Sequence, residues 1–319
     1  MNSFAYCPAF RIKVTYVVIV LLLNVCSGTT ILYSQDMFPV IQLTSDSTRE
    51  GFPSWSPDGS TIIYSFFNII DGTPVMGSKK ISSHGGTPVV FTDFATEHPQ
   101  WSPDGHIIVF DGDTGASVFM INAEGGKPKT FLPESIKISK GALSCWSPNG
   151  LQIALKSGIT SSLYVYDVKT GGVTNIYHEE GIVPLPGCWS RDNKWIFIAR
   201  MDAKTRISTI WKISSDGKEK EQINGHHKDF YRYLALSPDG TLLVYAVMEK
   251  KRLGLWIMPA EGGKSLPVAI SLQDHNECPS WSPDGKRLAF SSGRTGRGDI
   301  YIMEMDIEKV KAELELSNK

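Results

Sequence analysis

The stretch Trp55-Ser56-Pro57-Asp58-Gly59 decides the fold, because it recurs. The same five residues stand at Trp101-Ser102-Pro103-Asp104-Gly105 and at Trp281-Ser282-Pro283-Asp284-Gly285. Looser copies are Trp146-Ser147-Pro148-Asn149-Gly150, Trp189-Ser190-Arg191-Asp192-Asn193 and Leu236-Ser237-Pro238-Asp239-Gly240. Successive copies lie 46, 45, 43, 47 and 45 residues apart, a period that marks a repeat architecture. Serine, proline and glycine at the first, second and fourth places of Ser-Pro-Asp-Gly are the residues a type I turn prefers. Proline pre-sets φ, and the Asp or Asn side chain can bond nearby amides. Asp58, Asp104, Asp239 and Asp284 are therefore read as turn residues, not catalysts. Trp55, Trp101, Trp146, Trp189 and Trp281 are read as blade-packing residues beside them.

A strand follows each turn: Ile62-Ile63-Tyr64-Ser65-Phe66, Ile107-Ile108-Val109-Phe110, Trp195-Ile196-Phe197-Ile198 and Leu242-Leu243-Val244-Tyr245, with weaker copies at Ile153 and Leu288. These runs are almost continuously apolar, as expected of strands covered on both faces. A third strand comes some 20 residues after the tryptophan position, as in Val118–Ile121 and Ile300–Met303, with Lys79-Lys80-Ile81 a poor copy. Glycine turns such as Gly85-Gly86 and Gly262-Gly263 supply positive φ before a fourth strand. Four antiparallel strands per repeat, repeated radially, make a β-propeller blade. The sixth repeat ends near Asp306 without its fourth strand, and the missing piece precedes the first repeat as Phe38-Pro39-Val40-Ile41-Gln42-Leu43-Thr44. The expected fold is all-β, a six-bladed propeller over 38–306 closed by an N-terminal strand. A short helical or disordered tail occupies 307–319.

The remaining composition bounds the function. Lys+Arg total 32 against 33 Asp+Glu, and 41% of residues are hydrophobic. That is a folded chain without the basic patch that nucleic acid demands. Arg11 and Lys13 precede an apolar run from Val14 to Leu23, and small residues Cys26, Ser27 and Gly28 follow. This is the three-part pattern of a secretory signal over 1–28, with 29–37 as linker. An uncleaved anchor is the rival reading, and a lipoprotein reading at Cys26 is poor because Val25 precedes it. Every version exports the rest of the chain. Beyond the signal three cysteines remain, Cys145, Cys188 and Cys278. Three is an odd number, so at least one thiol stays unpaired within the chain. The first two stand one residue before a blade tryptophan, where small buried residues are expected.

With these residues quoted, the repeat resembles the periplasmic TolB β-propeller family and its WD-repeat-like relatives. The shared pattern is Pro-x-Trp-Ser-Pro-Asp-Gly, here Pro53–Gly59 and Pro279–Gly285, with a third strand of the type Asp299-Ile300-Tyr301. The resemblance implies an extracytoplasmic propeller that binds another envelope protein and has no cofactor. It does not extend to the α/β domain that precedes the propeller in TolB, so a stand-alone propeller is expected. The same blade occurs in peptidase propellers and sugar-processing proteins. Carbohydrate binding, or a polysaccharide lyase with a divalent metal, is the alternative function.

No Gly-x-Ser-x-Gly elbow, His-Glu-x-x-His helix or Cys-x-x-Cys pair is present. Gly263-Lys264-Ser265, Asp111-Gly112-Asp113-Thr114-Gly115 and Arg297-Gly298-Asp299 are read as hairpins. The segments that enter the inner strands gather around one mouth of the central channel. They supply the candidate ligand-binding set Glu50, Glu97, His98, Arg232, His275 and Glu277. Blades six, one and two adjoin through closure, so their carboxylates and imidazoles are expected to converge there and suit a metal or a polar ligand.

Overall fold

The computed structural model describes residues 36–112, 118–130, 132, 144–157, 161–224, 230–249, 252–269 and 275–316. The signal segment, most of the linker, Asp113–Gly115, Lys140–Ala142, Lys228, Asp229 and Asp274 lie outside them. Strand β1 (Val40–Gln42) comes first. Blade one is β2 (Arg49–Trp55), β3 (Thr61–Ile70), β4 (Thr73–Ser82) and β5 (Val89–Thr92). Blade two is β6 (Glu97–Trp101), β7 (Ile107–Asp111), β8 (Val118–Asn122) and β9 (Lys129–Thr130). Blade three is β10 (Ser144–Trp146), β11 (Gln152–Lys156), β12 (Ser162–Asp167) and β13 (Val173–His178). Blade four is β14 (Ile182–Trp189), β15 (Trp195–Asp202), β16 (Ser208–Ser214) and β17 (Lys220–Asn224). Blade five is β18 (Tyr231–Leu236), β19 (Leu242–Glu249), β20 (Arg252–Pro259) and β21 (Leu266–Ala269). Blade six is β22 (Asn276–Trp281), β23 (Arg287–Ser292) and β24 (Asp299–Glu304), completed on its outer edge by β1.

Each blade is a four-stranded antiparallel sheet, and the fold is the expected six-bladed propeller. Closure uses the pairs Val40↔Met303, Ile41↔Ile302 and Gln42↔Tyr301, which cover the edge that β24 would otherwise expose. The second strands carry the inter-blade core: Ile62, Ile63 and Tyr64 are fully buried, as are Ile108, Val109 and Phe110. The third strand of blade one departs from expectation. It is the long strand β4, paired with β3 from Thr61↔Ser82 to Ile70↔Thr73, so this hairpin outruns β2, whose pairing ends at Arg49↔Phe67.

The recurring turns do two jobs. Within a blade, Gly59 N–H donates to the Ser56 carbonyl at 2.9 Å, the closing bond of the turn. Asp58 Oδ1 accepts from Ser56 Oγ at 2.5 Å and from Ser60 N–H at 3.0 Å. These bonds, Ser56 first, hold the exposed Asp58 carboxyl below its usual range. Between blades, the turn proline of one blade packs on the turn glycine of the next: Pro283 on Gly59, Pro57 on Gly105, Pro103 on Gly150, Pro238 on Gly285. Where the motif degenerates the contact changes chemistry, with Asn149 N–H donating to Asn193 Oδ1 at 3.0 Å and Arg191 meeting Gly240. The indoles add a second tie. Trp55, Trp189 and Trp281 donate to the carbonyls of Ser280, Cys145 and Ala235 of the preceding blade at 3.0, 3.1 and 3.2 Å.

After β24 the chain forms helix α1 (Ile307–Leu316), started by Asp306, whose Oδ1 accepts from Lys309 N–H. Val310 and Leu314 bury against the blade five and six core. Lys311 reaches Asp239 of the blade five turn at 3.2 Å. All three propeller cysteines are free thiols. Burial pushes the Cys188 thiol up to about 12, so it is a packing group at neutral pH.

Candidate functional site

The inner strands share a defect that shapes the channel. Their pairing with the second strand breaks between Gly51 and Ser54, Glu97 and Gln100, Pro186 and Cys188, Arg232 and Ala235, and Glu277 and Ser280. These are β-bulges, and in four of them one residue takes a left-handed backbone: Phe52 (φ 56°), His98 (49°), Tyr233 (52°) and Cys278 (55°). Such a conformation is costly for a residue with a side chain, and the packing around it must hold it in place. The reward is direction. Phe52 of blade one meets His98 at a ring-centroid distance of 4.0 Å and Tyr233 of blade five at 5.8 Å. Rings from three blades thus constrict the channel across its axis, leaving a cavity of about 70 Å³ among them. On the turn side lies a hollow of about 340 Å³ lined in part by Trp101, Cys145, Trp146 and Trp189.

Strand register sorts the candidate residues. Gly51, Glu97, Arg232 and Glu277 pair with Ser65, Asp111, Ala246 and Ser291, so they occupy one repeated position. All four are partly exposed at the mouth. Glu50 is one residue out of phase. Its counterparts Thr96, Tyr231 and Asn276 are buried, and the Glu50 side chain has no exposure at all. The carboxylate faces into the blade, where Oε1 accepts from Thr48 Oγ1 at 3.1 Å and lies 3.5 Å from Lys79 Nζ. Oε2 has no partner among the described residues. Burial, reinforced by Asp46, pushes this carboxyl up to about 7 against the pull of Thr44, Lys79 and Thr48. The expected convergence of Glu50 with the mouth acids therefore does not occur at the level of its side chain, although its backbone lines the same cavity as His275 and Glu277.

Glu97, His98 and Asp111 do come together. One ligand atom from each lies within 4.8 Å of the others. His98 Nδ1 and Asp111 Oδ1 are 2.8 Å apart, and both side chains are nearly buried. Arg232 of blade five lies over the rings of Tyr233 at 4.6 Å and Phe230 at 5.3 Å. Lys156 of blade three has its ammonium pKa lowered by burial, with Asp111 opposing that effect and Arg232 adding to it. Burial also raises the Tyr233 phenol, with Cys278, Glu277 and Glu97 adding to the effect. The mouth floor is thus a mixed-charge cluster of Glu97, Asp111, Glu277, Lys156 and Arg232. Glu97, His98 and Asp111 offer the donor types a divalent metal takes, with His98 Nδ1 already engaged by Asp111.

His275 and Glu277 line a separate cavity of about 430 Å³ at the seam of blades six and one, together with Arg49, Arg252 and Arg297. Sequence reading missed these arginines, because they come from three different segments. The bulge was missed for another reason: no residue type encodes positive φ in Phe, His, Tyr or Cys. Its sequence trace is the proline two places before the tryptophan, Pro53, Pro99 and Pro279, which cannot donate to the strand ladder.

No family model matches the chain. An uncharacterised protein of Agrobacterium fabrum is 25% identical over 262 residues, covering 75% of this chain and 83% of that protein. Among solved structures, a TolB from Agrobacterium tumefaciens has a TM-score of 0.58 at 20% identity, covering 84% of this chain and 97% of that one. TolB from Acinetobacter baumannii has 0.57 at 14%, covering 82% and 64%. An oligogalacturonate lyase from Vibrio parahaemolyticus has 0.57 at 12%, covering 85% and 95%. At these identities the likeness is one of architecture. The chain has the TolB-like six-bladed β-propeller fold.

Proposed function

We propose that this protein is an exported, non-catalytic β-propeller of the cell envelope that docks a partner protein on its mouth face. One observation carries the reading. Of the nine large apolar side chains left exposed among the described residues, Phe67, Ile69, Ile70, Ile207 and Met248 sit at the mouth-side ends of their hairpins, while Ile41, Val89 and Val90 lie on outer strands and Leu151 on the turn side. Ile69 and Ile70 are 60% and 52% exposed at the tip of the overlong β3–β4 hairpin. Five apolar groups on one rim around a polar floor have the layout of a protein-docking surface. The basic-then-apolar start of the sequence supports export. No helix among the described residues is long and apolar enough to cross a membrane.

A photo-crosslinking residue placed at Ile69 in cells is expected to give a discrete adduct, while the same residue at Leu151, 55% exposed at the opposite end, gives none. Equal labelling at both positions, or recovery of the protein in the cytoplasm, would overturn the reading.

The Glu97–His98–Asp111 cluster favours a second reading, in which the mouth takes a carbohydrate with or without a divalent metal, as in a lyase-type propeller. Metal analysis of the purified protein and thermal-shift measurements across a glycan panel test it. No metal and no shift would remove it.

A further inference from the structure

The seam cavity between blades six and one gathers three arginines from separate segments. Arg49 opens β2, Arg252 opens β20, and Arg297 sits in the loop between β23 and β24, yet all three line one space. All three are exposed. Among the described residues none has a carboxylate within ion-pair distance. Exposed lysines at two of the turns do have such partners, Lys194 with Asp192 and Lys218 with Asp216. Three like charges gathered without a counter-ion repel one another, a cost that a bound anion reverses.

The acids of the cavity do little to offset them. Glu50 is turned inside the blade, which leaves Glu277 alone against three guanidiniums. His275 adds a donor: its Nδ1 accepts from Leu253 N–H at 3.2 Å, so the hydrogen of the neutral ring is on Nε2. The wall is held tight by Gly298, where a Cβ would come within 2.8 Å of the Glu50 carbonyl. A space of about 430 Å³ is in the range of small-ligand sites.

We propose that this cavity binds a multiply carboxylated ligand through Arg49, Arg252 and Arg297. Guanidinium groups on separate segments match two or more carboxylates spaced along one molecule, each held by paired N–H donors. A neutral molecule of the same size leaves the three charges uncompensated. The ligand is either a free polycarboxylate or a short uronic-acid oligosaccharide, and both offer the same groups. This site borders the apolar rim, where Arg49 pairs with Phe67, but the assignment does not depend on docking there.

The test is titration calorimetry of the mature protein with citrate, with a β-1,4-linked glucuronate trisaccharide, and with cellotriose as the neutral control. Saturable binding of either acid, weakened by added salt and by about tenfold or more in Arg252→Ala and Arg297→Ala, supports the assignment. Binding of the trisaccharide alone identifies a sugar acid, and binding of citrate alone a free polycarboxylate. Arg297→Lys, which keeps the charge and loses the fork, is expected to fall between wild type and Arg297→Ala. Because the three side chains are exposed, the variants should melt as wild type does. Ile69→Ser should leave acid binding unchanged. Failure of both acids to bind, or binding retained in the Arg49→Ala/Arg252→Ala/Arg297→Ala variant, would overturn the proposal.

Discussion

Glu50 shows how much a single residue's phase matters. Read along the chain it belongs with Glu97 and Glu277, but strand alternation puts it on the blade-facing side, beside Lys79, Asp46, Thr48 and Tyr64. Its raised pKa has a definite sign for stability. Below the ordinary carboxyl range the group is protonated in both folded and unfolded chains. As pH climbs from about 4.5 to about 7, the unfolded chain ionises while the folded chain keeps its proton, so stability falls. The loss is on the order of 3 kcal/mol at most, since a tenfold difference in proton affinity corresponds to about 1.4 kcal/mol. Glu50→Gln should therefore flatten the pH dependence of the denaturation midpoint across that window and be more stable than wild type at pH 8. An unchanged slope would show that Lys79 keeps the carboxylate charged. The turn aspartates were legible as structural from Ser-Pro-Asp-Gly alone, because that chemistry is local. The setting of Glu50 was not, because it depends on a register that only the paired strand defines.

At the scale of the element, the bulge is the feature that matters. It turns Phe52, His98 and Tyr233 toward the axis, and it brings neighbouring inner strands within contact. A Cβ on Gly187 would lie 2.4 Å from Leu234 Cβ and 3.0 Å from its carbonyl oxygen. Gly51, in the equivalent strand of blade one, has nothing within 4 Å of such an atom. Gly187→Ala is expected to cost about 1–3 kcal/mol by overpacking, and Gly51→Ala to be neutral or slightly stabilising. Urea denaturation of the pair measures the difference, and equal midpoints would show that the inner strands of blades four and five can slide apart. The repeated strands were readable from the 45-residue period, whereas the bulges left only the proline before the motif. Blades four and five lack even that trace, having Gly187 and Leu234 where blades one, two and six carry proline.

At the scale of the whole molecule, ring closure followed from counting strands: the sixth repeat lacked one and the amino-terminal segment supplied it. Closure rests on the short strand β1 and on Phe38, which is buried in the blade five and six core. Deleting the chain through Leu43 should cost roughly 3–5 kcal/mol, from the lost Phe38 burial and the reopened edge of β24, and should promote self-association. Thermal melting and size-exclusion chromatography read both effects, and a monomer with unchanged melting would show that the ring does not need its clasp. The charge layout of the mouth was less legible than the ring, since Arg49, Arg252 and Arg297 are far apart in sequence and meet only once the circle closes. One consequence follows from the rings across the axis. The space they leave, about 70 Å³, admits a water or two and no solute. Among the described residues the mouth and the turn-side hollow are thus two recesses with these rings between them. A partner docked at the mouth, as proposed, and a small molecule in the turn-side hollow would therefore not compete for the same volume.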